Sequence, residues 1–216
     1  MPPKQETKIA DAEFALQLPP EETGGCSILM IGSTRSGKST ALKFILDNYF
    51  KKHTGVLFSQ SIKANAYKDM NYPLIAKSGA FIPELIHDFY VINKETKNHY
   101  PYIVIIDDCP LVRNDKELLK LATIYRNSGL SSIVCCQNLG MLNPTCRSNI
   151  NFVLLFKLNN TEAIEKTIKT FLRGYLPQGW NYDKKIEWYK QITEDHHCLL
   201  IDNLNGTICR TKIDIS

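Results

Sequence analysis

The chain has 216 residues, 44% hydrophobic and 22% charged, the balance of a globular protein rather than a disordered one. No apolar run exceeds five residues, far short of the roughly 18 that span a bilayer, and the N-terminus lacks an apolar stretch of secretory-leader length. Net charge is +4, but residues 1–25 hold two lysines against five acids, so the remainder is basic enough to suit a polyanionic partner.

Residues 1–25, with Pro2-Pro3, Pro19-Pro20 and Gly24-Gly25, read as a polar lead-in carrying a short helix at 11–18. A single domain is expected over 26–216. Residues 26–31 form a first strand, followed by a Gly/Ser-rich turn. Residues 38–50 place Ala41, Leu42, Ile45, Leu46 and Tyr49 on one helical stripe. A second strand is expected at 55–59, a helix at 83–91 and a polar connection at 93–101. The β-branched run 102–106 predicts a buried strand. Residues 115–126 read as a helix opened by Asp115, and 131–136 as the next strand. A fifth strand covers 152–158, and a helix with Thr161 as its cap covers 161–172. Residues 174–180 interrupt the pattern before a helix at 184–192. Residues 198–201 and 207–211, joined by 203–206, predict a terminal β-hairpin. This alternation predicts an α/β fold: a mostly parallel sheet flanked by helices on both faces, with a C-terminal β-hairpin.

Seven cysteines, odd in number and without a CxxC pair, read as reduced thiols, several of them inside apolar runs. His196-His197-Cys198 is the one His/Cys cluster and has no second half at zinc-finger spacing.

The chemistry concentrates after the first strand. Gly32, Ser33, Thr34, Arg35, Ser36, Gly37, Lys38 and Ser39 match G-x-x-x-x-G-K-[ST], with Thr40 following. Glycines let the backbone curl so that N–H groups face phosphate oxygens, and the helix opening near Lys38 adds its positive end. Lys38 then reaches the β- and γ-phosphates, while the Ser39 hydroxyl takes a place on Mg²⁺. The strand at 102–106 ends in Asp107 and Asp108. Asp107 suits a magnesium-holding role and Asp108 the polarisation of a water, since adjacent acids need a nearby cation. Gln137 ends the following strand and would face the same crevice, where it can bond the γ-phosphate or the water. Arg126 and Arg147 each sit in a turn from which a guanidinium could serve a neighbouring subunit's site.

Over residues 26–158, this order of features resembles the FtsK/HerA superfamily of DNA-translocating ATPases, above all its small viral branch: the genome-packaging ATPases of poxviruses, other large DNA viruses and virophages. The resemblance implies a P-loop NTPase fold of the RecA/ASCE type. It implies ATP and Mg²⁺ at Lys38, Ser39 and Asp107, catalysis at Asp108, γ-phosphate sensing at Gln137, and a trans arginine at Arg126 with Arg147 as second choice. It further implies double-stranded DNA bound without sequence preference, capsid proteins as partners and a homo-oligomeric ring of five or six copies. The implied location is the host cytoplasm or virus factory, or the virion. The chain departs from cellular members in having Asp108 where they usually have Glu, and Asn138-Leu139 where they tend to have Arg-Pro. Lysines and arginines from Lys157 to Lys190 are candidates for the DNA-facing surface. A small-molecule or nucleotide kinase and a non-translocating nucleotide switch are the alternative readings of the same loop. Asn93-Lys94-Glu95-Thr96 begins like the guanine-reading N-K-x-D but lacks its Asp.

Overall fold

Strands apolar on both faces can be buried only if helices cover both sides of the sheet they form. A computed structural model of the chain describes residues 9–20, 24–61, 72–96, 101–111 and 113–213. Its strands are β1 (Ser27–Ile31), β2 (Thr54–Ser59), β3 (Leu74–Ser78), β4 (Tyr102–Asp107), β5 (Ser131–Cys136), β6 (Phe152–Leu155), β7 (His197–Asp202) and β8 (Thr207–Lys212). They form one sheet in the order β3-β2-β4-β5-β1-β6-β7-β8. The first six pair in parallel, whereas β7 runs antiparallel to β6 and β8 antiparallel to β7. The expected C-terminal hairpin is therefore present.

The strands' period of two divides the core. Ile28 and Met30 of β1 face one way, packed with Ala41, Leu42, Ile45 and Leu46 of α1 (Lys38–Tyr49). Leu29 and Ile31 face the other. There they meet the apolar stripes of α2 (Pro83–Glu95), α3 (Lys116–Thr123), α4 (Pro144–Ser148), α5 (Thr161–Thr167) and α6 (Tyr182–Ile192). Five helices thus cover one face, while α1 covers the other with help from Phe14 and Leu16.

Asp115 caps α3 by accepting from the N–H groups of Glu117 and Leu118 at 2.9 and 3.0 Å. The helix predicted to reach Arg126 stops at Thr123 and tightens into a 3₁₀ turn, Tyr125–Ser128. The cap of α5 is Asn160, not Thr161, and after Thr167 the helix widens into a π-turn, Ile168–Leu172. Asn181 starts α6 two residues before the predicted helix. The strand expected at 152–158 pairs only to Leu155, where β7 also reaches the end of its register. Strand β3 was not expected: it is a half-exposed edge strand of mixed polarity, with Ile75 turned outward. The short helix expected at 11–18 is absent. Residues 9–20 run without helix, and the chain bonds β8 through Ala12 N–H to the Arg210 carbonyl (2.9 Å) and Arg210 N–H to the Ala10 carbonyl (3.0 Å). The lead-in residues 1–8 and 21–23 and the connection at 97–100 lie outside the described residues.

Six of the seven cysteines are buried and all are free thiols. Burial pushes Cys26, Cys136 and Cys198 up to about 12, and Cys135 is driven upward by burial and by the neighbouring Asp107. A thiol kept neutral in the fold but free to ionise when unfolded stabilises the protein fully below the unfolded pKa of about 9; that contribution is lost as pH climbs from there toward the folded value. The melting temperature should fall between about pH 9 and about pH 11, and fall less steeply in Cys198→Ala. Parallel curves in thermal scans would remove this thiol from the explanation.

Candidate functional site

The connection from β1 to α1 emerges at the carboxyl ends of the central strands, the crevice position of an open parallel sheet. Its entry is fixed by neighbouring strand ends. The Gly32 N–H donates to the Cys136 carbonyl (3.2 Å) and the Ser33 N–H to the Lys157 carbonyl (2.9 Å). The Ser33 hydroxyl accepts from the Asn159 N–H at 2.9 Å. The chain then turns through left-handed conformations at Arg35 (φ 62°) and Gly37 (φ 102°). A side chain at Gly32 would place its Cβ 2.4 Å from the Ser36 hydroxyl oxygen and 2.7 Å from the Phe156 Cβ, so glycine is required there by close approach.

Helices α3 to α6 each start with a side chain accepting from their first turn. Helix α1 has no such cap and no acid in its first turn. Its N-terminal N–H groups are thus left for an external anion. Lys38 is 5% exposed, and its ammonium donates to the carbonyls of Gly32 (2.7 Å) and Ser33 (3.1 Å). The Ser36 hydroxyl is buried without a hydrogen-bond partner among the described residues.

The acidic pair arrives from β4. Asp107 is the last residue of that strand and is buried. Asp108 follows in the left-handed region (φ 46°), with its N–H on the Cys135 carbonyl at 3.1 Å. That bend brings one carboxylate oxygen of Asp108 to 3.9 Å from the Lys38 ammonium. Gln137, just past β5, lies between the two motifs. Its amide donates to Asp108 at 3.2 Å, and its carbonyl accepts from the Thr34 hydroxyl at 3.4 Å. Residues 34–40, Ser61, Asp107, Asp108 and His196 line one cleft of about 410 Å³.

Among the described residues no three His, Cys, Asp or Glu side chains gather to hold a metal. Mg²⁺ asks for less: it binds through one or two protein oxygens plus substrate phosphates and water. The exposed Ser39 hydroxyl and the Asp107 carboxylate, both lining the cleft, are donors of that type.

Arg126 and Arg147 are not in this cleft. Both lie at the opposite edge, where β5 and β6 begin, roughly 15 Å away by the length of a five-residue strand. The Arg126 guanidinium donates to the Asn149 carbonyl (2.9 Å) and to the Asn151 side chain (3.5 Å). Arg147 ends α4 half-buried, its Nε unpartnered among the described residues. Asn151 also takes the Ser27 N–H and hydroxyl, at 2.9 and 3.0 Å, which ties the start of β1 to that of β6. The sequence reading missed His196, which enters the cleft from the turn between α6 and β7. Its only signal was a His/Cys cluster read against zinc.

Three comparisons bear on this geometry. The family model described as Poxvirus A32 protein matches residues 25–172. A relative, uncharacterized protein 015R of Frog virus 3 (isolate Goorha), is 27% identical over 216 residues, covering 95% of this chain; the chain spans 65% of that relative's length. Among solved structures, the genome packaging NTPase B204 from Sulfolobus turreted icosahedral virus 2 in complex with sulfate superposes with a TM-score of 0.64 at 16% identity, over 89% of this chain and 98% of that one. The same protein in complex with ATP-gammaS gives 0.61 at 15% identity, over 87% and 97%. The likeness establishes a P-loop NTPase fold.

Gly32→Ala should cost about 1–3 kcal/mol of stability, because Phe156 is core and can yield little. Chemical denaturation measures this, and an unchanged midpoint would contradict the close packing of the loop.

Proposed function

The chain belongs to the poxvirus A32 protein family, and on that premise we propose that it is a Mg²⁺-dependent ATPase that drives double-stranded DNA into a viral capsid. The observation that carries the reading is the hydrogen-bonded link from Thr34 through Gln137 to Asp108, with Lys38 beside it, at the phosphate loop. The description of B204 as a genome packaging NTPase, and its complex with ATP-gammaS, support the same reading here.

In this mechanism the triphosphate rests on backbone N–H groups of residues 33–40 and on the uncapped start of α1. The Lys38 ammonium turns from its loop carbonyls toward the β- and γ-phosphates. Ser39 and Asp107 hold Mg²⁺, which when bound offsets phosphate charge. Asp108 orients and polarises the attacking water. Gln137 bonds the γ-phosphate or that water, so its contacts to Thr34 and Asp108 differ before and after hydrolysis; this is the element through which turnover moves the chain.

A rigidly held guanidinium from a neighbour stabilises the charge that develops in phosphoryl transfer. Arg126, fixed by Asn149 and Asn151, meets the rigidity requirement, with Arg147 as the second candidate. Since both lie at the edge opposite the cleft, copies would pack head to tail, the heterologous contact that closes into rings, here of five or six subunits. For the DNA, a second cleft of about 700 Å³ beside the π-turn and α6 is lined by Lys169, Arg173, Lys185, Gln178 and Tyr182, with no carboxylate among its lining residues. Phosphate contacts of this kind are salt-dependent and indifferent to sequence. Capsid proteins complete the partner set, and the virus factory, the host cytoplasm or the virion is the expected location. Among the described residues, no helix is long and apolar enough to cross a membrane.

Phosphate release from ATP should rise on adding duplex DNA, and Lys38→Ala should lower it at least about a hundredfold while the thermal melt stays cooperative. Turnover that demands a small acceptor, or that survives in Lys38→Ala, would overturn the motor reading. Mixing Arg126→Ala with Asp108→Asn subunits should restore part of the activity, because some interfaces then carry both wild-type groups. Failure at every ratio in rings shown by mass to be mixed would exclude Arg126 as the shared group.

A further inference from the structure

We propose that a second cavity beside the phosphate loop, of about 510 Å³ and lined by Arg35, Ser36, Lys157, Thr193, Asp195, His196 and Lys212, is the subsite for the ribose and base of the nucleotide. This rests on the phosphate-loop reading above and extends it to the other end of the same ligand.

The polarity of the site requires such a place. Asp107, Asp108 and Gln137 follow β4 and β5, on one side of β1. A triphosphate whose terminal phosphate faces them must direct its nucleoside the other way, toward β6, β7 and β8. The second cavity lies on that side, since Lys157 follows β6, residues 193–196 precede β7 and Lys212 ends β8. The two cavities share Arg35, Ser36 and His196 as a common wall. Ser36 is 8% exposed, and its unpartnered hydroxyl sits where the cavities meet.

The lining chemistry fits a nucleoside. The imidazole of His196 and the guanidinium of Arg35 are planar groups of the kind that stack on a heterocycle. The Asp195 carboxylate is an acceptor for sugar hydroxyls, and Lys157 and Lys212 are cations suited to the phosphate nearest the sugar. The backbone is committed to this presentation. Asp195 (φ 53°) and His196 (φ 62°) are consecutive non-glycine residues in the left-handed region, a costly arrangement that persists where surrounding structure enforces it, as at ligand clamps. Here the enforcement is visible. The His197 N–H donates to the Glu194 carbonyl at 3.0 Å, the buried Thr193 hydroxyl to the Tyr189 carbonyl at 2.8 Å, and the Arg210 Nε to the Ile192 carbonyl at 3.0 Å.

The test compares two ligands that share phosphates and differ in the nucleoside. Calorimetric titration of the full chain with ATP and with inorganic tripolyphosphate, both with Mg²⁺, is run on wild type, His196→Gly, Asp195→Asn and Lys38→Ala. His196→Gly deletes the ring yet accepts the backbone conformation, so the turn is retained. Both turn variants should bind ATP at least about fivefold more weakly while tripolyphosphate affinity stays within about twofold. Lys38→Ala should weaken both ligands together. Equal losses of ATP and tripolyphosphate in His196→Gly, or an unchanged ATP affinity in both turn variants, would overturn the subsite while leaving the phosphate loop standing. A wild type that binds neither ligand would overturn both.

Discussion

An ammonium 5% exposed, resting on the carbonyl oxygens of its own loop, is the interaction on which the site depends. Burying a cation is costly unless charge and hydrogen bonds compensate it. Two carbonyls supply dipoles, and the nearest carboxylate oxygen, on Asp108, stands 3.9 Å away. Around the same ammonium lie the uncapped N–H groups of α1 and the unpartnered hydroxyl of Ser36. The cluster has an excess of donors, and a polyphosphate is the kind of group that balances it. The rest of the fold serves to keep that imbalance in place: β1 is clamped between β5 and β6, and its exit is pinned by Cys136 and Lys157.

The parts of this arrangement legible in the sequence are those encoded by neighbours in the chain. The phosphate loop needs glycines, a lysine and a hydroxyl at fixed offsets, so residues 32–39 announce it. Gln137 was readable because it ends a strand whose β-branched and cysteine content is plain. Residues 14, 16 and 18 are apolar at a period of two, yet polar surroundings and acids suggested a helix; the structure leaves the stretch non-helical and buries Phe14 and Leu16 against α1. Strand β3 carries too little apolar signal because one of its faces is open. The Ser27–Asn151–Arg126 network joins residues up to 124 positions apart, and no local pattern encodes such contacts. The turn at Asp195 and His196 was hidden for a different reason: left-handed backbone at non-glycine residues is imposed by tertiary structure and leaves no mark in residue type.

The two edges of the sheet divide the chemistry. Strand ends carry the cleft, and strand starts carry the arginines together with the Asn149 and Asn151 contacts that hold Arg126. The two faces are divided as well: a single long helix covers the face that leads from the loop, and five helices cover the other. Motion at the loop is thus transmitted directly to α1, whereas the cationic cleft near α6 sits on the opposite face and is reached through β6 and the segment that follows it.

The contact between residues 10–12 and Arg210 has a consequence for how copies of this chain can meet. A terminal strand normally presents unsatisfied backbone groups that can recruit a strand from another molecule. At Arg210 both the N–H and the carbonyl of β8 are already engaged by the chain's own early residues. Cross-molecular sheet extension is blocked at that point, so copies that approach this side must recognise each other through side chains, which is the safer chemistry for subunits that have to separate and re-engage.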